Sequence, residues 1–440
     1  MRLLAFLLLA LNASAQLRVS ENHRYLVQQD GRPFFWLGDT AWELLHRENR
    51  EDTLFYLDKR AAQGFNVIQT VVLAEMDGLN TPNAYGQKPL IDKDPTKPND
   101  KYFDHVDWVI AEAAKRGLII GLLPTWGNKV VQGRTEKLNE VIFDESNARV
   151  YGRWIGNRYR NATNLVWILG GDRRAETVVK IRRAMAEGIR ETDTGKHLIT
   201  FHPQGRSTSS TYLHNEPWLD FNMIQSSHSS KDFRNDTMIA HDYALEPHKP
   251  VLDGEPRYEN HPVDWKPEQN GWFDEVDVRQ GAYFALMAGA FGTTYGCQDI
   301  WQFMEPGREA VGFARGNWRS SLDLAGANQV GLARKLIESR DIASRRPAPE
   351  LLQASEAPLQ PVASRGDYYA MIYAPAAGRV FLNLKSLGTK EVKVSFFNPR
   401  SGLMGKPSRA KVQTLLYLDL PGKAERGNDW VIVLDWTELD

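Results

Sequence analysis

Between Pro33 and Arg345 the chain repeats one pattern. Short apolar runs fall at 34–38, 66–72, 118–123, 165–169, 197–201, 221–225, 250–252 and 293–295. Helix-like spacing separates most of them, at 51–63, 104–116, 145–160, 175–191, 277–290 and 324–342, and more weakly at 236–244. The runs are apolar almost throughout, which predicts parallel strands buried on both faces by helices. Eight strand–helix units over residues 33–346 predict an α/β fold, a (β/α)8 TIM barrel. The rival is an open doubly wound sheet. Its phosphate-binding turn would follow the first strand, where the chain reads Gly38-Asp39-Thr40-Ala41-Trp42, without GxGxxG spacing.

After Pro347 and Pro349 the pattern changes. Residues 347–357 read as a linker. Short strands at 368–373, 380–384, 392–397 and 430–434, separated by turns, predict a small antiparallel β-sandwich over 358–440. Residues 16–32 read as a β-hairpin, with strands at 18–20 and 25–28 followed by a turn at Asp30-Gly31. Residues 1–15 read as a signal peptide: Met1-Arg2, an apolar run from Leu3 to Leu11, then Asn12-Ala13-Ser14-Ala15. The apolar run is too short to span a bilayer, so an exported chain, periplasmic or extracellular and free of the membrane after signal removal, is expected.

Composition narrows the function. Lys and Arg number 54 against 55 Asp and Glu, so there is no basic excess to track a nucleic-acid backbone. Cys297 stands alone, which excludes an internal disulfide and a cysteine-based zinc site. The 13 Trp suit flat sugar surfaces.

In a barrel, catalytic groups come from the C-terminal ends of the strands. Those ends carry Asp39 and Trp42; Gln69, with Glu75 in the following loop; Trp126 and Asn128; Gly170-Gly171-Asp172; His202; Gln225 and His228; Asp253-Gly254-Glu255; and Trp301. There is no GxSxG elbow and no phosphate loop. Asp172 could equally cap the next helix. With period two, Asp253 and Glu255 should face the same side, where Arg257 or Arg279 could also neutralise them as loop carboxylates. A carboxyl on strand four and one on strand seven suit glycoside hydrolysis, which needs a protonated acid and an ionised carboxylate across one bond. His202, His228, His241 and His248 could ligate a metal, but strand one ends without a His-x-His pair, so no metal and no cofactor are expected. Asp39, Trp42, Gln69, Trp126, Asn128, His202, Gln225, His228 and Trp301 are the expected substrate contacts. The partner implied is a polysaccharide or oligosaccharide. The alternative is a non-catalytic carbohydrate- or matrix-binding protein in which the sandwich is the working part.

Four stretches, 35–42, 64–69, 167–172 and 253–256, resemble the apiosidase-like glycoside hydrolases, family 140. The C-terminal part, with Phe397-Asn398-Pro399-Arg400-Ser401-Gly402, is similar to the collagen-binding-type β-sandwich that follows the barrel there. The resemblance implies a retaining mechanism with Asp172 as acid/base and Glu255 as nucleophile. It also implies action on apiose linkages of the pectin rhamnogalacturonan-II. The acid is Asp where Asn-Glu is usual in the wider group of such barrels; one methylene shorter, it must sit closer to the leaving oxygen.

Overall fold

The computed structural model describes residues 16–132, 140–174, 176, 178–353 and 360–437. The signal-peptide reading of residues 1–15 and the linker positions 354–357 lie outside them.

Three short strands open the chain: β1 (Leu17–Val19), β2 (Leu26–Gln28) and β3 (Pro33–Phe34), an antiparallel sheet rather than a two-stranded hairpin. The barrel strands follow as β4 (Trp36–Thr40), β5 (Val67–Leu73), β6 (Ile119–Thr125), β7 (Leu165–Gly170) and β8 (Ile199–His202). After the two-residue β9 (Ser207–Thr208) come β10 (Asn222–Gln225), β11 (Val251–Glu255) and β12 (Gly292–Tyr295). Strands β12-β4-β5-β6-β7-β8 form one parallel ladder, and β10 pairs in parallel with β11. Backbone hydrogen bonds join the two groups, from Asp220 N to Ile199 O (2.9 Å) and from Phe291 N to Val251 O (3.1 Å). The result is the expected (β/α)8 barrel.

Alternation along each strand sorts side chains into two cores. Val67, Val71, Val166 and Ile168 point into the barrel, with Trp36 between Phe221 and Phe291 at its centre. Ile68, Val72, Trp167 and Leu169 point outward against the helices. Leu17, Leu26 and Phe34 join the inner core, so the N-terminal sheet packs against the barrel interior. Helix ends follow local signals: Asn49 and Asp144 accept from backbone N–H groups at the starts of Arg50–Ala62 and Glu145–Tyr159. Helix Val179–Asp193 begins four residues later than its spacing suggests; the expected start at Ala175 is outside the described residues.

The C-terminal domain is antiparallel, with β13 (Arg346–Pro347), β14 (Val362–Arg365), β15 (Tyr369–Ala374), β16 (Arg379–Leu382), β17 (Glu391–Asn398), β18 (Leu403–Met404), β19 (Ser408–Lys411), β20 (Leu416–Asp419) and β21 (Trp430–Asp435). Its larger sheet packs one face on the barrel. Tyr373 stacks on Tyr283 at 4.8 Å with the rings 8° apart. Beside them Asp429, fully buried, accepts from Arg279 Nε (2.8 Å) and Nη2 (2.7 Å) and from the Tyr373 hydroxyl (2.9 Å). Arg279 therefore serves the domain contact and not the carboxylates of strand seven.

Candidate active site

The C-terminal mouth of the barrel holds a cavity of about 290 Å³, lined in part by Trp42, Glu75, Trp126, Asp172, Gln225 and Glu255. Its two principal carboxyl groups are aimed by unusual backbone.

At the end of β7, Gly170, Gly171 and Asp172 all have positive φ, at 103°, 102° and 58°. A Cβ on Gly170 would meet His202 O at 2.2 Å, and one on Gly171 would meet Gly127 N at 2.7 Å and the Trp126 ring at 2.9 Å. Only glycine fits twice in succession, and the turn delivers Asp172 into the cavity. Asp172 does not cap the next helix, which starts seven residues on with no side-chain cap.

At the end of β11 a bulge does the aiming. Ile224 pairs with Asp253 and Gln225 with Glu255, leaving Gly254 unmatched. One extra residue reverses the alternation. The expectation that Asp253 and Glu255 share a side is therefore corrected. Asp253 is buried among Ser226 N and Asn235 Nδ2, the latter also bonded to Gly281 O of a packing helix, while Glu255 lines the cavity. Gln69 Nε2 donates to Gly254 O at 2.9 Å, so Gln69 braces the bulge and does not line the cavity.

Both Glu255 oxygens meet imidazoles. His202 Nε2 lies 2.8 Å from Oε2 and His228 Nε2 lies 3.0 Å from Oε1. Burial pushes the Glu255 carboxyl up, but the contacts from His202 and His228 outweigh it and hold the group well below the usual carboxylate range. Asp172 goes the other way. Burial raises it, and the negative charges of Glu255 and Glu75 raise it further, against contacts from the Gln225 side chain and Gly205 N–H. Its side chain is 39% exposed, toward the cavity that Glu255 and Glu75 also line. Glu75 is pushed up to about 7 by burial and by Glu43, opposed by Arg173 and Lys129. The cavity thus sets a carboxyl pushed toward its ionised form against one pushed toward its protonated form, the division of labour that acid-assisted bond cleavage needs.

Trp42, Trp126 and His202 form an aromatic wall, with Trp42 5.2 Å from Trp126 and 5.4 Å from His202, centre to centre. Trp301 lies on the lining, its indole N–H donating to Gln298 Oε1 at 3.0 Å. Of the expected substrate contacts, the structure brings Trp42, Trp126, His202, Gln225, His228 and Trp301 around the two acids. It does not bring the others. Asp39 is fully buried, accepting from Arg60 Nε (2.7 Å) and the Tyr56 hydroxyl (2.5 Å) behind the strand. Asn128 Nδ2 reaches Glu75 O at 3.4 Å and, with Lys129 Nζ on Ala74 O at 2.6 Å, holds the loop that carries Glu75. His241 and His248 lie away from the cavity, beside Asp242 and Leu245 O.

Tyr258, His261 and Trp265 also line the cavity, and sequence reasoning missed them. They follow Glu255 by three to ten residues, beyond the strand end where a search for barrel chemistry stops. The density of aromatic and histidine side chains in that loop was the available signal. His261 stacks on His228 at 4.2 Å, and burial holds its imidazole neutral.

A barrel of this form with acids at the ends of its fourth and seventh strands defines the class: the chain is a glycoside hydrolase. A solved structure described as "Glycoside hydrolase" is similar at 31% identity and TM-score 0.89, covering 97% of this chain and 98% of its own. A glycoside hydrolase family 5 protein from Bacteroides vulgatus is similar at 31% identity and TM-score 0.88, covering 96% of this chain and 94% of its own. A β-L-arabinopyranosidase from Geobacillus stearothermophilus shares the fold alone, at 11% identity and TM-score 0.54, covering 92% of this chain and 97% of its own. No curated protein sequence matches.

The family described as "Apiosidase-like, catalytic domain" matches residues 20–344, and this chain belongs to it. Residues 348–435 match the "Putative collagen-binding domain of a collagenase". Among the described residues no helix is long and apolar enough to cross a membrane.

Proposed function

We propose that this chain is an exported retaining glycoside hydrolase that cleaves apiose linkages in pectic rhamnogalacturonan-II. Asp172 acts as acid/base and Glu255 as nucleophile. The observation that carries the reading is the placement of two carboxyl groups on one cavity, Glu255 between His202 and His228, which draw its pKa down, and Asp172 near Glu255 and Glu75, whose charges push its pKa up. Asp172 gives its proton to the leaving oxygen while Glu255 Oε attacks the anomeric carbon. Once the glycosyl ester has formed, the Asp172 carboxylate takes a proton from water as the water oxygen bonds to the anomeric carbon and the bond to Glu255 Oε breaks, which releases the sugar and restores both groups. Loss of negative charge at Glu255 in the intermediate lowers the affinity of Asp172 for its proton, which suits its change from acid to base. The apiosidase-like family supports apiose as the sugar, and the 31% identical glycoside hydrolase supports hydrolysis of a glycosidic bond.

The test is product release from plant and bacterial glycans, including rhamnogalacturonan-II fragments, by wild type, Glu255→Gln and Asp172→Asn. Proton NMR of the first anomer released accompanies it. Release of apiose-containing product with retained configuration is expected from wild type, with losses of orders of magnitude in both variants. An inverted first product would replace the nucleophile role of Glu255 with that of general base. Tight binding to a glycan without release would favour a binding protein instead.

A further inference from the structure

Beyond the acids the cavity opens onto an apolar surface that the catalytic step does not use. After β11 the chain makes an excursion closed by the bridge between Pro262 and Trp272 and by Val263 N to Gly271 O (3.0 Å). At its tip Asp264 and Trp265 both have positive φ, 54° and 59°. A bulky aromatic rarely occupies that region, and the surroundings must hold it there. They do: Asp264 N donates to His228 O at 2.9 Å and Trp265 N to Pro262 O at 3.3 Å. The Trp265 ring lies 4.4 Å from His261, which stacks on His228, the partner of Glu255.

A second loop also packs against the indole. Gly312 has φ 60°, and a Cβ there would meet Trp265 Cζ3 at 2.3 Å. The backbone beside it is clamped: Gln298 Nε2 donates to Gly312 O (2.7 Å), Gln302 Nε2 to Val311 O (2.9 Å), and Val311 N to Gln302 Oε1 (2.9 Å). Despite this support Trp265 is 50% exposed and Val311 37% exposed, and both border the cavity. Trp42 and Trp126 are each 2% exposed, so the inner wall is closed where Trp265 is open. A rigid, half-exposed indole continuous with a sugar-cleaving cavity presents an aromatic face to the C–H face of a pyranose or furanose ring.

We propose that Trp265, seated on Gly312 and flanked by Val311, is a stacking platform for the sugar next to the one reacting at Asp172 and Glu255. The enzyme therefore selects an oligosaccharide over a single terminal glycoside. The inference rests on the glycosidase reading above and adds a specificity-determining subsite to it.

The test compares Trp265→Ala, Trp265→Phe and Gly312→Ala with wild type. The substrates are a 4-nitrophenyl apioside and a rhamnogalacturonan-II oligosaccharide carrying the apiose linkage. Trp265→Ala and Gly312→Ala should raise KM for the oligosaccharide roughly ten-fold. The effect on the aryl glycoside, which carries no second sugar, should be smaller, and Trp265→Phe should recover most of the oligosaccharide loss. Equal effects on both substrates, or none on the oligosaccharide, would overturn the platform. A calorimetric arm does not need turnover: Glu255→Gln is titrated with the same oligosaccharide with and without Trp265→Ala. A Kd roughly ten-fold weaker is expected. An unchanged Kd, or no binding by either protein, overturns the platform. Tight binding that depends on Trp265, with no turnover by wild type, overturns the catalytic roles alone.

Discussion

Replacing His228 with Ala tests how Glu255 is kept ionised. The substitution removes the 3.0 Å contact between His228 Nε2 and Glu255 Oε1 and leaves His202 on the other oxygen at 2.8 Å. A hydrogen bond to a charged group is worth about 1.5–3 kcal/mol, and one pKa unit about 1.36 kcal/mol. Losing one such contact should raise the Glu255 pKa by about one to two units. The sign follows from the role. Glu255 must be ionised, so activity is lost as pH falls through its pKa. That pKa is held below the carboxylate range, which puts the wild-type acid limb at the edge of what can be measured. In the variant the limb should move up into view. The alkaline limb belongs to Asp172, which must be protonated, and activity is lost as pH rises through its raised pKa. It should stay in place, because Glu255 remains charged near neutrality in both proteins. The assay is kcat/KM against pH on an aryl glycoside, with circular dichroism at each end of the range. An acid limb that stays put or moves down, with the fold intact, would refute the reasoning.

Other substitutions probe how the acids are aimed and how the domains are joined. Gly171→Ala forces a Cβ into Gly127 N and the Trp126 ring and should displace Asp172; we expect kcat to fall about 100-fold or more with the fold retained, checked by kinetics beside circular dichroism. Gln69→Leu removes the bond to Gly254 O and loosens the bulge that aims Glu255. It should lower kcat about ten-fold with KM little changed, and an unaltered kcat would remove Gln69 from the positioning role. Asp429→Ala strands the buried Arg279 guanidinium and should cost about 3–5 kcal/mol in urea unfolding, whereas Arg279→Met with Asp429→Leu should recover much of it. A midpoint for Asp429→Ala equal to wild type would mean that the domain contact does not depend on this pair.

The barrel was legible because its strands are buried on both faces: runs such as Val67–Leu73 and Leu165–Gly170 have few polar positions to confuse their reading. The sandwich was less so. Ser408–Lys411 and Leu416–Asp419 lie at exposed edges and carry little apolar pattern, and both were missed. At the site, strand-end logic pointed to Asp172, Glu255 and the aromatic wall, and the structure places these side chains together. It erred at Asp39, Gln69 and Asn128, because a strand end supplies both inward and outward positions and only packing shows which is which. Asp39 faces outward to Arg60, and Gln69 is spent on a backbone carbonyl.

The sequence by itself determined the barrel, the appended antiparallel domain and the two acids at the mouth, since each rests on local periodicity or on a glycine-flanked strand end. Only the tertiary structure decided which face Glu255 takes, because a one-residue bulge set by pairing with β10 reverses the alternation. It also decided the opposite directions in which the pKa values of the two acids are pushed. His202, His228, Glu75 and Glu255 come from different strands and loops, and their fields act across space, not along the chain.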